Sequence, residues 1–378
     1  MAKARKYTKQ LISILLGLVL IQFVALAGLL VFVSGRDAKQ EDAAAPTVEE
    51  PVAEQVQQES DGESAPEQMP EEIGEIAAEK EKPADERSAP EILSDHAVIS
   101  HGMGMIEGTT TLNCLESFRQ QYENGVRVFE VDLRMTRDLQ VVLRHDWRAG
   151  WQDGISETDV PTLDEFRAKP LLGKYTPLTF RDLLLLMEEY PDICIITDTK
   201  FTDAEMVTVQ FEAMLADARE LGLSYLFDRM VVQVYNKLMF RVVDSIGDFP
   251  HYIYTLYAEG FNRTEQAFTD IMSFCTESGV MGVTMWDYWW KAEFAPIAGE
   301  YGVAVYVHTV NDTEKAAELM VSGVDGVYTD SIVPGELETA RIKAEEEAAR
   351  KAEGKLPSGE GDEGYGTDGE ENIRGNNI

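Results

Sequence analysis

Residues 192–221 read DICIITDTKFTDAEMVTVQFEAMLADAREL, and their pattern decides the fold. The opening run, 192–199, is short and apolar through Ile196, as expected of a strand buried on both faces. Residues 203–221 then take up helical spacing. The same pairing of strand and helix extends in both directions. Strand-like runs precede it at 96–101 and 126–133, and follow it at 229–235, 251–257, 280–286, 302–308 and 324–329. Helical patterns at 178–190 and 312–322 lie between such runs. A further run, 140–145, follows the second strand too closely for a crossover helix and reads as an excursion. Eight strands alternating with helices predict an α/β fold, a (β/α)8 TIM barrel, over residues 92–340. An open doubly wound sheet is the alternative, but no Gly-rich phosphate loop follows the first strand.

The flanks read differently. Residues 11–33 carry neither charge nor proline and are long enough to cross a bilayer as a helix. Basic residues 3, 5, 6 and 9 precede them, so the positive-inside rule puts 1–10 in the cytoplasm and the rest outside. A cleavable signal peptide is the competing reading, since Ala25-Leu26-Ala27 has a small-x-small pattern. Segment 34–91, rich in Ala, Pro, Glu and Gln, is expected to be a disordered acidic linker. Segment 341–378 is expected to continue as an exposed helix and end in an acidic tail. Between Asp37 and Asp95 there are 19 acids and 4 bases, and the formal net charge of the whole chain is −35. Such a balance excludes a nucleic-acid-binding surface. Three cysteines, Cys114, Cys194 and Cys275, lack metal-type spacing, and no disulfide is expected.

In a barrel the active site lies at the C-terminal ends of the strands. Those ends carry His101, Glu130 with Asp132, Asp198 with Lys200, Gln233, Asp287, His308 and Asp330, and His145 ends the excursion. Glu130 and Asp132, two apart on a strand, project from one face. With Asp198 they form a set of hard oxygen donors suited to Ca²⁺ or Mg²⁺. Two histidines beside such a cluster can move protons in phosphodiester cleavage, because imidazole titrates nearest neutrality. His96 and His251 open strands at the other end and read as structural. The five tryptophans, Trp147, Trp151, Trp286, Trp289 and Trp290, follow strand ends. They serve either to pack loops or, as with Trp286, to receive an apolar or sugar-like part of a substrate.

These residues carry a family resemblance. His101-Gly, Asn113-Cys-Leu-Glu-Ser-Phe118, Phe129-Glu-Val-Asp132, Thr136-Arg-Asp138 and His145-Asp146 follow one another as in the glycerophosphodiester phosphodiesterase signature of HRG, ENTLEAF, xExD with T-x-D-G, and HD. Asp198-Thr-Lys200 resembles its E-x-K, Thr309-Val-Asn311 its W-T-V-N, and Gly323-Val-Asp-Gly-Val-Tyr-Thr-Asp330 its closing G-V-D-G-I-x-T-D. The likeness implies His101 and His145 as the general acid/base pair, Glu130, Asp132 and Asp198 as metal ligands, and Lys200 facing the phosphate. Arg144, Gln233, Trp286 and His308 complete the expected substrate contacts.

The chain departs from that pattern at several places. Gly102 stands where HRG has arginine, which leaves phosphate contact to Lys200, Arg144 or the metal. Leu112 replaces a glutamate, Leu139 a glycine and His308 a tryptophan, and Asp198 is shorter than the usual Glu. In its histidine pair the chain is also similar to phosphatidylinositol-specific phospholipase C-like barrels. The resemblance implies metal-dependent hydrolysis of a glycerophosphodiester, a phospholipid headgroup or a glycerol-phosphate envelope polymer at the outer face of a membrane. Cleavage through a cyclic phosphate, and a barrel that binds an envelope polymer without turnover, are the alternatives.

Overall fold

The structure, a computed structural model, describes residues 77–83, 86–148, 151–258, 260–352 and 354. The apolar segment 11–33, most of the acidic linker and the tail from 355 lie outside the described residues. Among the described ones, no helix is long and apolar enough to cross a membrane.

The expected strands form with ends moved by one or two residues: β1 (Val98–Ser100), β2 (Val128–Met135), β4 (Cys194–Thr199), β5 (Met230–Val234), β6 (Tyr252–Thr255), β7 (Gly282–Trp286), β8 (Ala304–His308) and β9 (Gly326–Thr329). Their spatial order is β1-β9-β8-β7-β6-β5-β4-β2, and β1 pairs with β2 to close the sheet. All these pairings are parallel. The excursion is β3 (Val141–Leu143), antiparallel to the far end of β2. A closed parallel barrel leaves no sheet edge to protect and puts all strand C-termini at one rim.

Helices wrap the outside: α2 (Leu115–Glu123), α3 (Leu163–Arg167), α4 (Phe180–Glu189), α5 (Ala204–Leu221), α6 (Lys237–Ile246), α7 (Glu265–Ser278), α8 (Ala295–Tyr301), α9 (Thr313–Val321) and α10 (Pro334–Ala352). Local chemistry sets their ends. Asp203, Asn236 and Thr264 each accept an amide hydrogen bond at the start of α5, α6 and α7. Gly222 closes α5 in the left-handed region, at φ 67°.

Two apolar layers result. Outward residues such as Phe129, Val131, Ile195 and Val283 pack beneath the helices. Ile99, Val128, Cys194, Ile196, Val231, Ile253, Tyr306 and Tyr328 fill the barrel interior. Helix α1 (Ala89–Asp95) adds Ala89, Ile92 and Leu93 to that interior cluster.

This overturns the linker boundary at 91. Ala77 and Lys80 donate amide hydrogen bonds to the carbonyls of Glu220 and Gly222, and Glu79 accepts one from Ser224. Glu86 and Arg229 form a buried ion pair, and Arg229 also donates to the carbonyls of Met187, Tyr190 and Ile193. Composition marks 77–91 as solvated because it is charged, but here Lys80, Lys82 and Glu86 have partners on the barrel. Removing one member of a buried pair leaves the other uncompensated. Glu86→Ala should therefore cost about 3 kcal/mol in urea denaturation, the low end for such a pair because Arg229 keeps its carbonyls. An unchanged midpoint after deletion of residues 1–87 would show that this segment is linker after all.

Candidate active site

Side-chain alternation carries the barrel interior up to the catalytic rim. Val128 lies in the interior cluster, so Glu130, Asp132 and Arg134 face the same way, higher up. By the same count Cys194 and Ile196 lead to Asp198, Val231 to Gln233, Tyr306 to His308 and Ile99 to His101.

Glu130, Asp132 and Asp198 converge: one oxygen of each lies within 4.8 Å of the others, and all three residues are buried. Polar neighbours hold them in place. The Gly102 amide donates to Glu130 at 2.6 Å. Asn113 donates to Asp132 Oδ2 at 2.8 Å and accepts from the Asp132 amide at 2.9 Å. Gln233 donates to Asp198 at 3.3 Å and accepts from the Tyr328 hydroxyl at 3.0 Å, while Tyr235 also donates to Asp198. Lys200 reaches back between the carboxylates, hydrogen-bonded to Asp198 and with Nζ 2.5 Å from Asp132 Oδ1. That contact lacks hydrogen-bond alignment, so Asp132 Oδ1 is buried with a charge beside it but no donor aimed at it.

The electrostatics follow. Burial and the neighbouring Asp132 push the Glu130 carboxyl well above the usual range. Burial also works against the Asp198 charge, but Lys200 and the Tyr235 hydrogen bond outweigh it and lower its pKa. Formally, three carboxylates and one ammonium leave two negative charges at a buried rim. A hard divalent cation would fit that donor set, with Glu130, Asp132 and Asp198 as its ligands.

On one side of this cluster, His101 Nδ1 lies 2.8 Å from Asp330 Oδ1. Asn311 fixes Asp330 in turn, donating to its carboxylate at 2.7 Å and accepting from its amide at 2.8 Å. Burial opposes the imidazolium, but the Asp330 hydrogen bond and the charges of Glu130 and Asp132 push its pKa up to about 9. His145 follows β3 and its Nδ1 lies 2.7 Å from Asp146 Oδ2. It is tied to the cluster through the backbone: the Arg144 amide donates to the Asp132 carbonyl at 2.8 Å, and Arg134 Nε donates to the His145 carbonyl at 3.2 Å.

The opposite side is aromatic. The His308 ring lies 4.5 Å from Trp286, 5.1 Å from Tyr257 and 6.0 Å from Tyr328, centroid to centroid. Its Nε2 is buried without a partner. Burial, reinforced by the charge on His101, lowers its pKa to about 4, so this imidazole is neutral. Tyr288 stacks beyond Trp286 and is 66% exposed.

Several expectations need correction or refinement. Arg144 does not reach the rim. Its side chain is fully buried, paired with Asp153 and stacked on Trp147 and Trp151. There it staples the loop after β3. Lys200 is held by two carboxylates, and Gln233 hydrogen-bonds Asp198 rather than standing open. Trp147 and Trp151 belong to this staple, and Trp290 donates to Ser322 at 2.8 Å, so these three pack loops. Asn113 and Tyr235 act in the site but were not singled out as site residues. Tyr235 lies two beyond Gln233, a spacing that could have found it. Asn113 lies in a loop with no strand spacing to mark it, and its signal is its place at the head of the Asn113–Phe118 motif.

Residues 106–223 match the model of the glycerophosphoryl diester phosphodiesterase family. Among solved structures, a protein from Silicibacter pomeroyi described as a glycerophosphoryl diester phosphodiesterase aligns at 21% identity and TM-score 0.55, covering 66% of this chain and 93% of that one. One from Galdieria sulphuraria described as a glycerophosphodiester phosphodiesterase aligns at 18% and 0.54, over 65% and 98%. A phosphodiesterase from Oleispira antarctica, solved with its product sn-glycerol-3-phosphate, aligns at 17% and 0.52, over 67% and 99%. The structural likenesses establish the fold, a barrel shared almost end to end with each neighbour. The class is that of the phosphoric diester hydrolases. Over residues 106–223 the chain is similar to the glycerophosphoryl diester phosphodiesterase family.

The His101 environment can be tested directly. In metal-free protein, histidine NMR should find one imidazole titrating near 9. Asp330→Asn should bring it down towards the ordinary value, because the variant loses both a hydrogen-bond acceptor and a negative charge. A wild-type His101 titrating at or below 6.5 would refute the pairing.

Proposed function

We propose that the chain hydrolyses a glycerol-containing phosphodiester in a metal-dependent reaction, with His101 and His145 as general acid and base. The observation that carries this reading is the convergence of Glu130, Asp132 and Asp198 beside a His101 held by Asp330. A divalent cation, Ca²⁺ or Mg²⁺, bound by those three carboxylates would neutralise phosphoryl charge and acidify the attacking hydroxyl.

The chain's own residues divide the remaining work. Asp330 holds His101 at Nδ1 and favours its charged form, which leaves Nε2–H to protonate the departing alkoxide. Asp146 holds His145 at Nδ1, so its Nε2 lone pair can take the proton of an attacking water, or of a glycerol hydroxyl whose cyclic phosphate water then opens. Lys200 holds Asp132 and Asp198 close and favours the charged form of Asp198. Trp286 and His308 form a neutral wall against which the non-phosphate part of the substrate rests. Burial without charge suits a group such as glycerol or a sugar, which brings hydroxyls for His308 Nε2 to meet.

The likeness to the family supports a glycerophosphodiester as substrate, with a phospholipid headgroup or a glycerol-phosphate envelope polymer as larger versions of the same bond. The basic residues before 11–33 and the acidic segment after it support a membrane anchor with the barrel outside the cell.

Purified full-length protein should release glycerol phosphate from a glycerophosphodiester in Ca²⁺ or Mg²⁺ and stop in EDTA. His101→Ala or His145→Ala should each lower kcat by roughly 10²-fold or more. The activity should sediment with membranes and act on substrate supplied from outside. Full turnover by either variant in EDTA would remove the basis of this reading.

A further inference from the structure

Formal charge leaves the site one cation short. Glu130, Asp132, Asp198 and Lys200 together carry two negative charges, which one divalent ion would cancel. A phosphodiester then brings a negative charge of its own. Gly102 and Met103 follow His101, so that turn offers no cation. Lys200 is engaged by Asp132 and Asp198, Arg144 is buried against Asp153, and His101 is held by Asp330.

Arg134 is different. It lies on the inward face of β2, two residues above Asp132 in a strand that runs to Met135. Its Nε donates to the carbonyl of His145, which ties the guanidinium to the backbone of the second histidine. It is half-buried, and burial lowers its pKa against the opposing pull of Asp146, Asp132 and Asp198. Among the described residues, no carboxylate forms an ion pair with it, so both terminal nitrogens remain to be used. A planar guanidinium with two free N–H groups on one edge matches two oxygens of a phosphate.

We propose that Arg134 binds the phosphoryl oxygens of the substrate and supplies the positive charge the site otherwise lacks. This deepens the phosphodiesterase reading and rests on it for the reacting group. The bond to the His145 carbonyl gives Arg134 a second effect, since a phosphate held by its terminal nitrogens is presented to the histidine whose backbone anchors its Nε.

The test is isothermal calorimetry with inorganic phosphate on the Mg²⁺-loaded full chain. Arg134→Gln should weaken phosphate binding roughly 10- to 100-fold, the worth of a charge-assisted bidentate contact, and leave Mg²⁺ binding intact. Arg134→Lys keeps the charge but loses the fork and should fall between that variant and the wild type. In turnover, KM should rise in the same order. Phosphate affinity in Arg134→Gln equal to wild type would overturn the proposal, as would a wild type that binds no phosphate. If Arg134→Gln loses Mg²⁺ or fails to fold, Arg134→Lys decides alone, and wild-type affinity there overturns it. A wild type that hydrolyses diesters while both variants bind phosphate normally would sink this inference and leave the phosphodiesterase reading standing. Arg134-dependent phosphate binding without hydrolysis would do the reverse.

Discussion

Three carboxylates share one buried rim, and the rest of the site exists to make that tolerable. At the separation of Glu130, Asp132 and Asp198, each pair of like charges repels by about 3–4 kcal/mol at an effective dielectric of roughly 20. No side chain would be held there without compensation. The chain supplies it in layers: Lys200 between the two aspartates, an amide on Glu130, Asn113 on Asp132, and Gln233 with Tyr235 on Asp198. His101 adds an imidazolium whose charge depends on the same acids. The deficit that remains is what gives the rim its affinity for cations.

The barrel makes this arrangement possible because alternation along parallel strands delivers side chains from distant parts of the sequence to one ring. It also separates the ring into halves. Strands β1, β2 and β4 lead to His101, the three carboxylates and Lys200, whereas Tyr257, Trp286 and His308 on the β6–β8 side are aromatic. His308 belongs to the second half by its chemistry as well as its place, since burial among rings keeps its proton off. Charge on one side and a dry aromatic wall on the other orient a ligand that is itself part phosphate and part neutral alcohol.

Much of this was legible before any coordinates. The strand runs, the crossover pattern and the polar residues at strand ends predicted the barrel, the acidic triad and His101, because each rests on a short-range rule of periodicity. Where the reading failed, longer-range facts intervened. Arg144 is expected to meet the phosphate because the HRG arginine is missing, but its side chain pairs with Asp153 and stacks on Trp147 and Trp151 instead. Residues 77–91 were read as linker because they are charged, yet Glu86 meets Arg229 across a sequence gap that no local pattern spans. Asn113 and Tyr235 act on carboxylates 19 and 37 residues away, respectively. Such pairings are a property of the folded ring and not of any segment.

The central claim is that these three acids hold a single ion in common. Anomalous diffraction from crystals soaked in Mn²⁺, standing in for Mg²⁺, measures this most directly. One strong peak within coordination distance of Glu130, Asp132 and Asp198 is the expected result. A rim with no peak, or an ion bound by other residues while Lys200 still fills the space between the aspartates, would contradict the account.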